Sequence, residues 1–254
     1  MINKIVNFIS YKIIPYLTLD KFAPNVAPWN SSFLNWFYLK KSMLLASKNF
    51  IKGICLDIGS GNSPYKRYLN VEEYISIDKR DTNAVSYKKN SNQIDADARD
   101  LPFEKEFADT IILNQVLEHI YEYEKVLDEI HRVLKKDGKF VISVPFIYHI
   151  HAEPNDYFRF SEYGIKKLLR DKGFKIIQFS YNGYFGTTIF SIINSFIWQV
   201  WNKNIYLKLL RNTIFLPFLF VVFFINNMIA LLLDLLKAEK FSPNYFIICE
   251  KENE

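Results

Sequence analysis

At 254 residues the chain holds about 1.7 typical domains, which suits one α/β domain with an elaboration and excludes a string of several compact ones. With 50% hydrophobic and 23% charged residues it is neither disordered nor fibrous, and its net charge of +5 is too small and diffuse to announce nucleic acid. Aromatic residues make up 17%, so a membrane partner stays open, and two lone cysteines, Cys55 and Cys249, point to a reducing compartment.

The first segment, residues 1–50, opens with Ile2, Ile5, Val6, Ile9 and Ile13 at helical spacing, with Lys4 and Lys12 among them. This predicts an amphipathic helix, packed on the following domain or lying on lipid. Asn7, Ser10 and Lys12 interrupt the apolar run and no small-residue cleavage site follows, which argues against a secretory signal. Pro15, Pro24 and Pro28 mark a turn-rich stretch after it.

From residue 51 to 183, short apolar strands alternate with helices. Strands are predicted at Gly53–Ile58, Tyr74–Ile77, Thr110–Leu113, Phe140–Val144 and Ile176–Phe179. Val126, Leu127, Ile130, Val133 and Leu134 form a helical stripe that is expected to stop at Asp137-Gly138. A second helix should run from Ser161 as N-cap through Ile165, Leu168 and Leu169 to Gly173.

At the end of the first strand stands Leu56-Asp57-Ile58-Gly59-Ser60-Gly61-Asn62-Ser63-Pro64. Glycines at a strand-to-helix turn let the backbone approach a ligand, at the sheet edge where such folds bind them. Pro64 stands where a dinucleotide fingerprint has glycine or alanine, which disfavours NAD; it suits the first turn of a helix instead. Asp57 would face the mouth of the turn, repel a pyrophosphate and welcome an ammonium, while Asp78 ends the next strand, where a carboxylate can take both hydroxyls of a ribose. The pair asks for a nucleoside that carries a cation.

These residues resemble the class I S-adenosylmethionine-dependent methyltransferases, from about Gly53 to Phe179. Leu56 to Gly61 looks like the first motif and Asp97-Ala98-Arg99-Asp100-Leu101-Pro102-Phe103 like the adenine segment. Phe107 to Asn114 looks like the fourth strand, followed by Val116-Leu117-Glu118-His119, and Arg132 to Gly138 like the turn before the fifth. The resemblance implies an α/β, Rossmann-like sheet of seven strands with the last antiparallel, and S-adenosylmethionine as cofactor. It also implies that Gly59, Ser60 and Gly61 wrap the methionine moiety, Asp78 holds the ribose, Asp97 and Ala98 meet the adenine, and Asn114 lines the methionine side. Ser63 departs from the pattern, standing where many members have a third glycine. Glu118 and His119 are expected to cap and pack their helix.

The loop Pro145–Phe160 is polar and aromatic and should form the acceptor pocket. His151 is the candidate to take a proton from an acceptor hydroxyl, or else to hydrogen-bond the loop, and Asp156, Tyr157 and Arg159 should orient a polar acceptor. His149 and His151 with Glu153 or Asp156 have no distinctive metal spacing, so no metal is expected. The string from His151 to Ser161 is similar to that of methyltransferases of surface-polysaccharide biosynthesis, which implies a glycan or lipid-linked sugar as acceptor. A lipid or quinone-like acceptor, or a scaffold without activity, are the alternatives.

Residues 184–240 break the rhythm: Tyr184–Trp201 and Asn212–Leu233 carry no charge, each near the ~20 residues that cross hydrocarbon. After them, in residues 241–254, Tyr245–Cys249 reads as the last strand, which must share a sheet with Ile176–Phe179; an odd number of crossings is therefore impossible. A full hairpin would carry Lys203, Lys208 and Arg211 to the non-cytoplasmic side, against the positive-inside tendency. The expectation is a hydrophobic helical hairpin lying shallow or in plane at the cytoplasmic face of a membrane, peripheral or monotopic. A helical insert packed over the active site or forming a homodimer interface is the soluble alternative.

Overall fold

The computed structural model describes residues 8–13, 17, 25–79 and 93–252. Ile2, Ile5 and Val6 of the expected first helix, with Pro15 and Pro24, lie outside them; Ile9–Ile13 form a single π-helical turn. The chain divides into two units, Met1–Lys40 with Asn182–Pro243, and Lys41–Tyr181 with Asn244–Glu254. Residues 1–40 of the N-terminal segment thus share a unit with the hydrophobic stretch, and residues 41–50 fall in the other.

The second unit is built on one sheet. Its strands are β1 (Ile54–Ile58), β2 (Glu73–Ile77), β3 (Ala108–Asn114), β4 (Leu134–Pro145), β5 (Phe174–Tyr181) and β6 (Asn244–Lys251), in the order β2-β1-β3-β4-β6-β5. The first four pair parallel, and β6 runs antiparallel to both neighbours. Six strands stand among the described residues where seven were expected; beside β2 there is only a single parallel bridge between Ile77 and Ile94.

Ile111 to Leu113 are buried in succession, as a parallel strand covered on both faces requires. Helix α2 (Tyr123–Val133) lays Val126, Leu127, Ile130 and Val133 on the core with Leu56, Phe140 and Ile247. It ends at Val133, earlier than Asp137-Gly138 suggested. The chain enters β4 at once, and Lys135 to Gly138 fall in a register shift against β3, with Asp137 at φ 57°. Helix α3 (Glu162–Asp171) begins as expected, with the Ser161 hydroxyl accepting from Gly164 N, and Gly173 leaves it at φ 76°. Cys55 and Cys249 are free and buried.

Helix α1 (Phe33–Asn49) starts in the first unit and ends in the second. Within the first unit, α4 (Phe185–Asn202), the short α5 (Ile205–Leu210), a π turn (Arg211–Phe215) and α6 (Leu216–Leu233) follow one another. The burial of α4 is inverted: it buries Gly186, Thr187, Thr188, Ser191 and Asn194, and exposes Ile189, Ile193 and Phe196, the last at 65%. Helix α6 buries Leu216, Leu219 and Phe223 together with Asn227 and Ala230, and exposes Phe218 at 63% and Leu232 at 66%. The two helices meet through Asn194, which donates to Asn227 Oδ1 (2.9 Å) and accepts from Asn226 Nδ2 (2.8 Å). Their close approach depends on Gly186, where a Cβ would stand 2.2 Å from the Ala230 carbonyl oxygen. Ile205–Leu236 is one continuous apolar helical stretch long enough to cross a membrane, and only 28% of its most apolar window is buried.

Candidate functional site

Strands β1, β2, β3 and β4 all present their carboxyl ends at one sheet edge, and the chain reverses direction across the sheet between β1 and β3, where such folds open a crevice. Gly59 follows β1 at φ 66°, Gly61 stands at 51° and Ser63 at 50°. Ser63, the residue out of pattern, therefore adopts the left-handed conformation that a third glycine would take most easily. At Gly59 conformation and space agree: a Cβ would come 2.4 Å from a Val116 methyl group. Ser60 N donates to Ile77 O (3.1 Å), tying the turn to the end of β2. Pro64 does not open a long helix; only the 3₁₀ turn Lys66–Tyr68 follows.

Asp78 receives the Gly61 N–H on Oδ2 at 2.7 Å, so the ribose carboxylate candidate also braces the glycine turn. Burial pushes its carboxyl above the ordinary value, against the pull of that N–H. Asp57 is buried rather than at the mouth of the turn, and accepts from the Tyr74 hydroxyl. Burial pushes it up to about 7, opposed by the Tyr74 hydrogen bond and reinforced by the charge of Asp78.

Asp97 is engaged on both oxygens: Arg99 Nε and Nη2 reach it at 2.9 and 2.7 Å, and Lys79 Nζ at 2.8 Å. The Arg99 guanidinium holds its carboxyl well below the usual range. Ala98 is buried beside it. Asn114 closes β3 and accepts from the Ser143 hydroxyl of β4. Sequence reasoning missed Tyr74, Gln93 and Ser143. Gln93 Nε2 donates to Ser60 Oγ (2.8 Å) and Gly61 O (3.2 Å), gripping the turn from outside.

In the loop after β4, Asp156 and Arg159 form a two-pronged ion pair, Nη1 to Oδ1 and Nη2 to Oδ2, both at 2.7 Å. Arg159 also donates to the carbonyls of His149 (2.8 Å) and Tyr148 (3.2 Å), and His151 N donates to Asp156 Oδ2 (2.8 Å). These two side chains, expected to orient an acceptor, are occupied in holding their own loop. Tyr157 is exposed, with its hydroxyl donating to Asn155 Oδ1 at 3.0 Å. Glu118 and His119 sit in a 3₁₀ turn, Leu117–His119, ahead of α2. Glu118 caps nothing: it is fully buried, neither carboxylate oxygen has a hydrogen-bond donor, and burial pushes it up to about 8.

Residues 56–142 match the family described as a methyltransferase domain, over the β1 turn, Asp78, Asp97, Asn114 and most of β4. The match spans about a third of the chain, whose fold is that of the S-adenosylmethionine-dependent methyltransferases. The methyltransferase domain's fold is shared with a chain from the complex of the Haloferax volcanii Trm112 methyltransferase activator with a methyltransferase. That match has a TM-score of 0.55 at 14% identity and covers 86% of this chain and 90% of the other. Phosphoethanolamine N-methyltransferase 2 of Haemonchus contortus, solved with S-adenosyl-L-methionine, matches with a TM-score of 0.51 at 16% identity, over 84% of this chain and 53% of that one. The [4+2]-cyclase SpnF also matches, with a TM-score of 0.54 at 15% identity over 86% and 82% of the two chains. The fold alone therefore does not fix a reaction. An uncharacterized protein of Methanocaldococcus jannaschii is 27% identical over 170 residues, covering 63% of this chain and 82% of its own length. The donor set at the methyltransferase domain's sheet edge fits S-adenosylmethionine: two carboxylates for a cation and a ribose, beside a backbone turn held open by left-handed residues.

Proposed function

We propose that this methyltransferase O-methylates a glycan or lipid-linked sugar intermediate at the cytoplasmic surface of a membrane. The cofactor supplies an electrophilic methyl group on a sulfonium. The chain's own residues bind and align it: the turn Gly59-Ser60-Gly61 with Asp57 at the methionine end, Asp78 at the ribose, Asp97 and Ala98 at the adenine, and Asn114 near the sulfur. Asp97, pinned by Arg99 and Lys79, keeps a fixed orientation rather than a free carboxylate. Displacement at methyl carbon asks chiefly for alignment in a dry pocket. The loop carrying His151, Tyr157 and the Asp156–Arg159 clamp takes the acceptor side, with Asp156 and Arg159 acting through the loop they hold.

The single observation that supports the methyl-transfer reading is Asp78 bridging to Gly61 N, which joins ribose carboxylate and glycine turn into one cradle. The membrane reading is supported by the inverted burial of α4, which turns Gly, Ser, Thr and Asn inward and Ile and Phe outward, and by the exposed Phe218, Ile225 and Leu232 of α6, the pattern of helices that face lipid. Purified protein given isotope-labelled methyl donor and a cell-envelope extract should yield a labelled product whose mass and fragments place a methyl group on a sugar oxygen. Label on a quinone or an acyl lipid instead would favour the second acceptor class, and tight cofactor binding with no labelled product from any fraction would favour a scaffold.

A further inference from the structure

Beyond the cofactor site, the turn after β3 and the loop after β4 bring together three groups that separate stretches of sequence supply. Glu118 is buried to 0% exposure and neither oxygen meets a hydrogen-bond donor. Taking a carboxylate out of water without a partner is costly, and such groups are paired, protonated or bound to a metal. His119 Nε2 stands 3.8 Å from Glu118 Oε1, and the His119 and His151 rings meet edge to face with centroids 4.8 Å apart. One ligand atom from each of Glu118, His119 and His151 lies within 4.8 Å of the others.

The far side of each imidazole is anchored. His119 Nδ1 lies 2.6 Å from the Asn155 carbonyl oxygen and so donates its hydrogen there, leaving the Nε2 lone pair toward Glu118. His151 Nδ1 has two acceptors at 3.3 Å, His149 O and Asp156 Oδ2, against one donor, Arg159 Nη2, at 3.4 Å. The balance puts its hydrogen on Nδ1 and its lone pair on Nε2. Imidazoles that donate one N–H to a carbonyl or carboxylate and point the other nitrogen at a common centre are arranged as metal ligands are.

We propose that Glu118, His119 and His151 form a binding site for a divalent first-row transition cation such as Zn²⁺. Two imidazoles and one carboxylate suit such a cation better than Mg²⁺ or Ca²⁺, which take oxygen ligands. In a tetrahedral site with bonds of about 2.1 Å, ligand atoms stand about 3.4 Å apart, so the 3.8 Å contact needs to shorten by a few tenths of an ångström and separations of up to 4.8 Å by about an ångström or more, which the loop carrying His151 supplies on binding the ion. Three protein ligands leave at least one position open. Resting on the methyltransferase reading, that position takes the acceptor oxygen, where the cation would lower the hydroxyl's pKa so that its proton passes to solvent, and His151 acts as a ligand rather than as the free base expected from the sequence. The metal site escaped the sequence because the neighbours of His151 there, His149 and Glu153, are not its partners; the other two ligands lie some thirty residues away.

Full-length protein stripped with chelator and titrated calorimetrically with Zn²⁺ alone, without cofactor or acceptor, should bind one ion per chain, and both His151→Ala and Glu118→Gln should weaken that binding at least tenfold. His151→Ala changes a loop residue and keeps the test valid should Glu118→Gln fail to fold, which circular dichroism would reveal. No binding by wild-type protein, or binding that His151→Ala leaves unchanged, overturns the proposal. Titrating the same samples with S-adenosylmethionine separates the two readings: cofactor binding without metal binding sinks only the metal site, and the reverse sinks only the proposed function.

Discussion

On the proposed reading, Asp57 couples cofactor binding to pH. Its carboxyl is raised to about 7 in the folded chain, mainly by burial, so the folded state holds a proton that the unfolded chain has lost above its ordinary value of 3.8. Stability without cofactor should therefore decline as pH rises from about 4 to 7 on account of this group. Cofactor binding runs the other way, because a nearby cation favours the carboxylate. Calorimetry at pH 6 and pH 8, in buffers of different ionisation heat, should show tighter S-adenosylmethionine binding at pH 8 and proton release at pH 6. Affinity that is flat across this range and insensitive to buffer would remove Asp57 from the cofactor's surroundings. Gly59, Gly61 and Asp78 were legible in the sequence because each stands at a strand end whose pattern is local. Tyr74 and Gln93 were not, since a hydroxyl or amide that reaches Asp57 or the glycine turn from 17 or more residues away leaves no mark on local spacing.

Among the elements, strands were legible from short apolar runs and α3 from its cap, whereas the end of α2 was misplaced because Asp137-Gly138 reads as a helix stop and serves as a strand irregularity. The inverted face of α4 lay hidden for a similar reason. Composition shows an uncharged segment, and only packing shows that its Thr, Ser and Asn turn inward. Asp234, which is buried, gathers the first unit by accepting from Thr187 N (3.0 Å), Thr187 Oγ1 (2.5 Å) and the Tyr38 hydroxyl (2.8 Å). Asp234→Leu strips three donors of their acceptor and should destabilise the protein by about 2 kcal/mol or more, read as a lowered melting temperature. An unchanged melting temperature would mean that the donors find other partners and that this cluster does not hold the helices.

At the scale of the whole molecule, a unit built on one mixed sheet shares a chain with a helical unit that exposes large apolar side chains. Replacing Phe196, Phe218 and Leu232 together by serine should shift the protein from floating with anionic liposomes to the unbound fraction, with S-adenosylmethionine affinity unchanged. Persistent flotation would place the lipid contact elsewhere, and a shift from dimer to monomer with no wild-type flotation would make that face a subunit interface. The most direct measurement is the calorimetric affinity of the full chain for S-adenosylmethionine, with Asp78→Ala beside it. One site per chain is expected, weakened in the variant by at least about 1 kcal/mol, roughly fivefold, through lost ribose hydrogen bonds. No binding by the wild-type chain, or equal affinity in the variant, would contradict the assignment of the β1–β2 edge as the cofactor site.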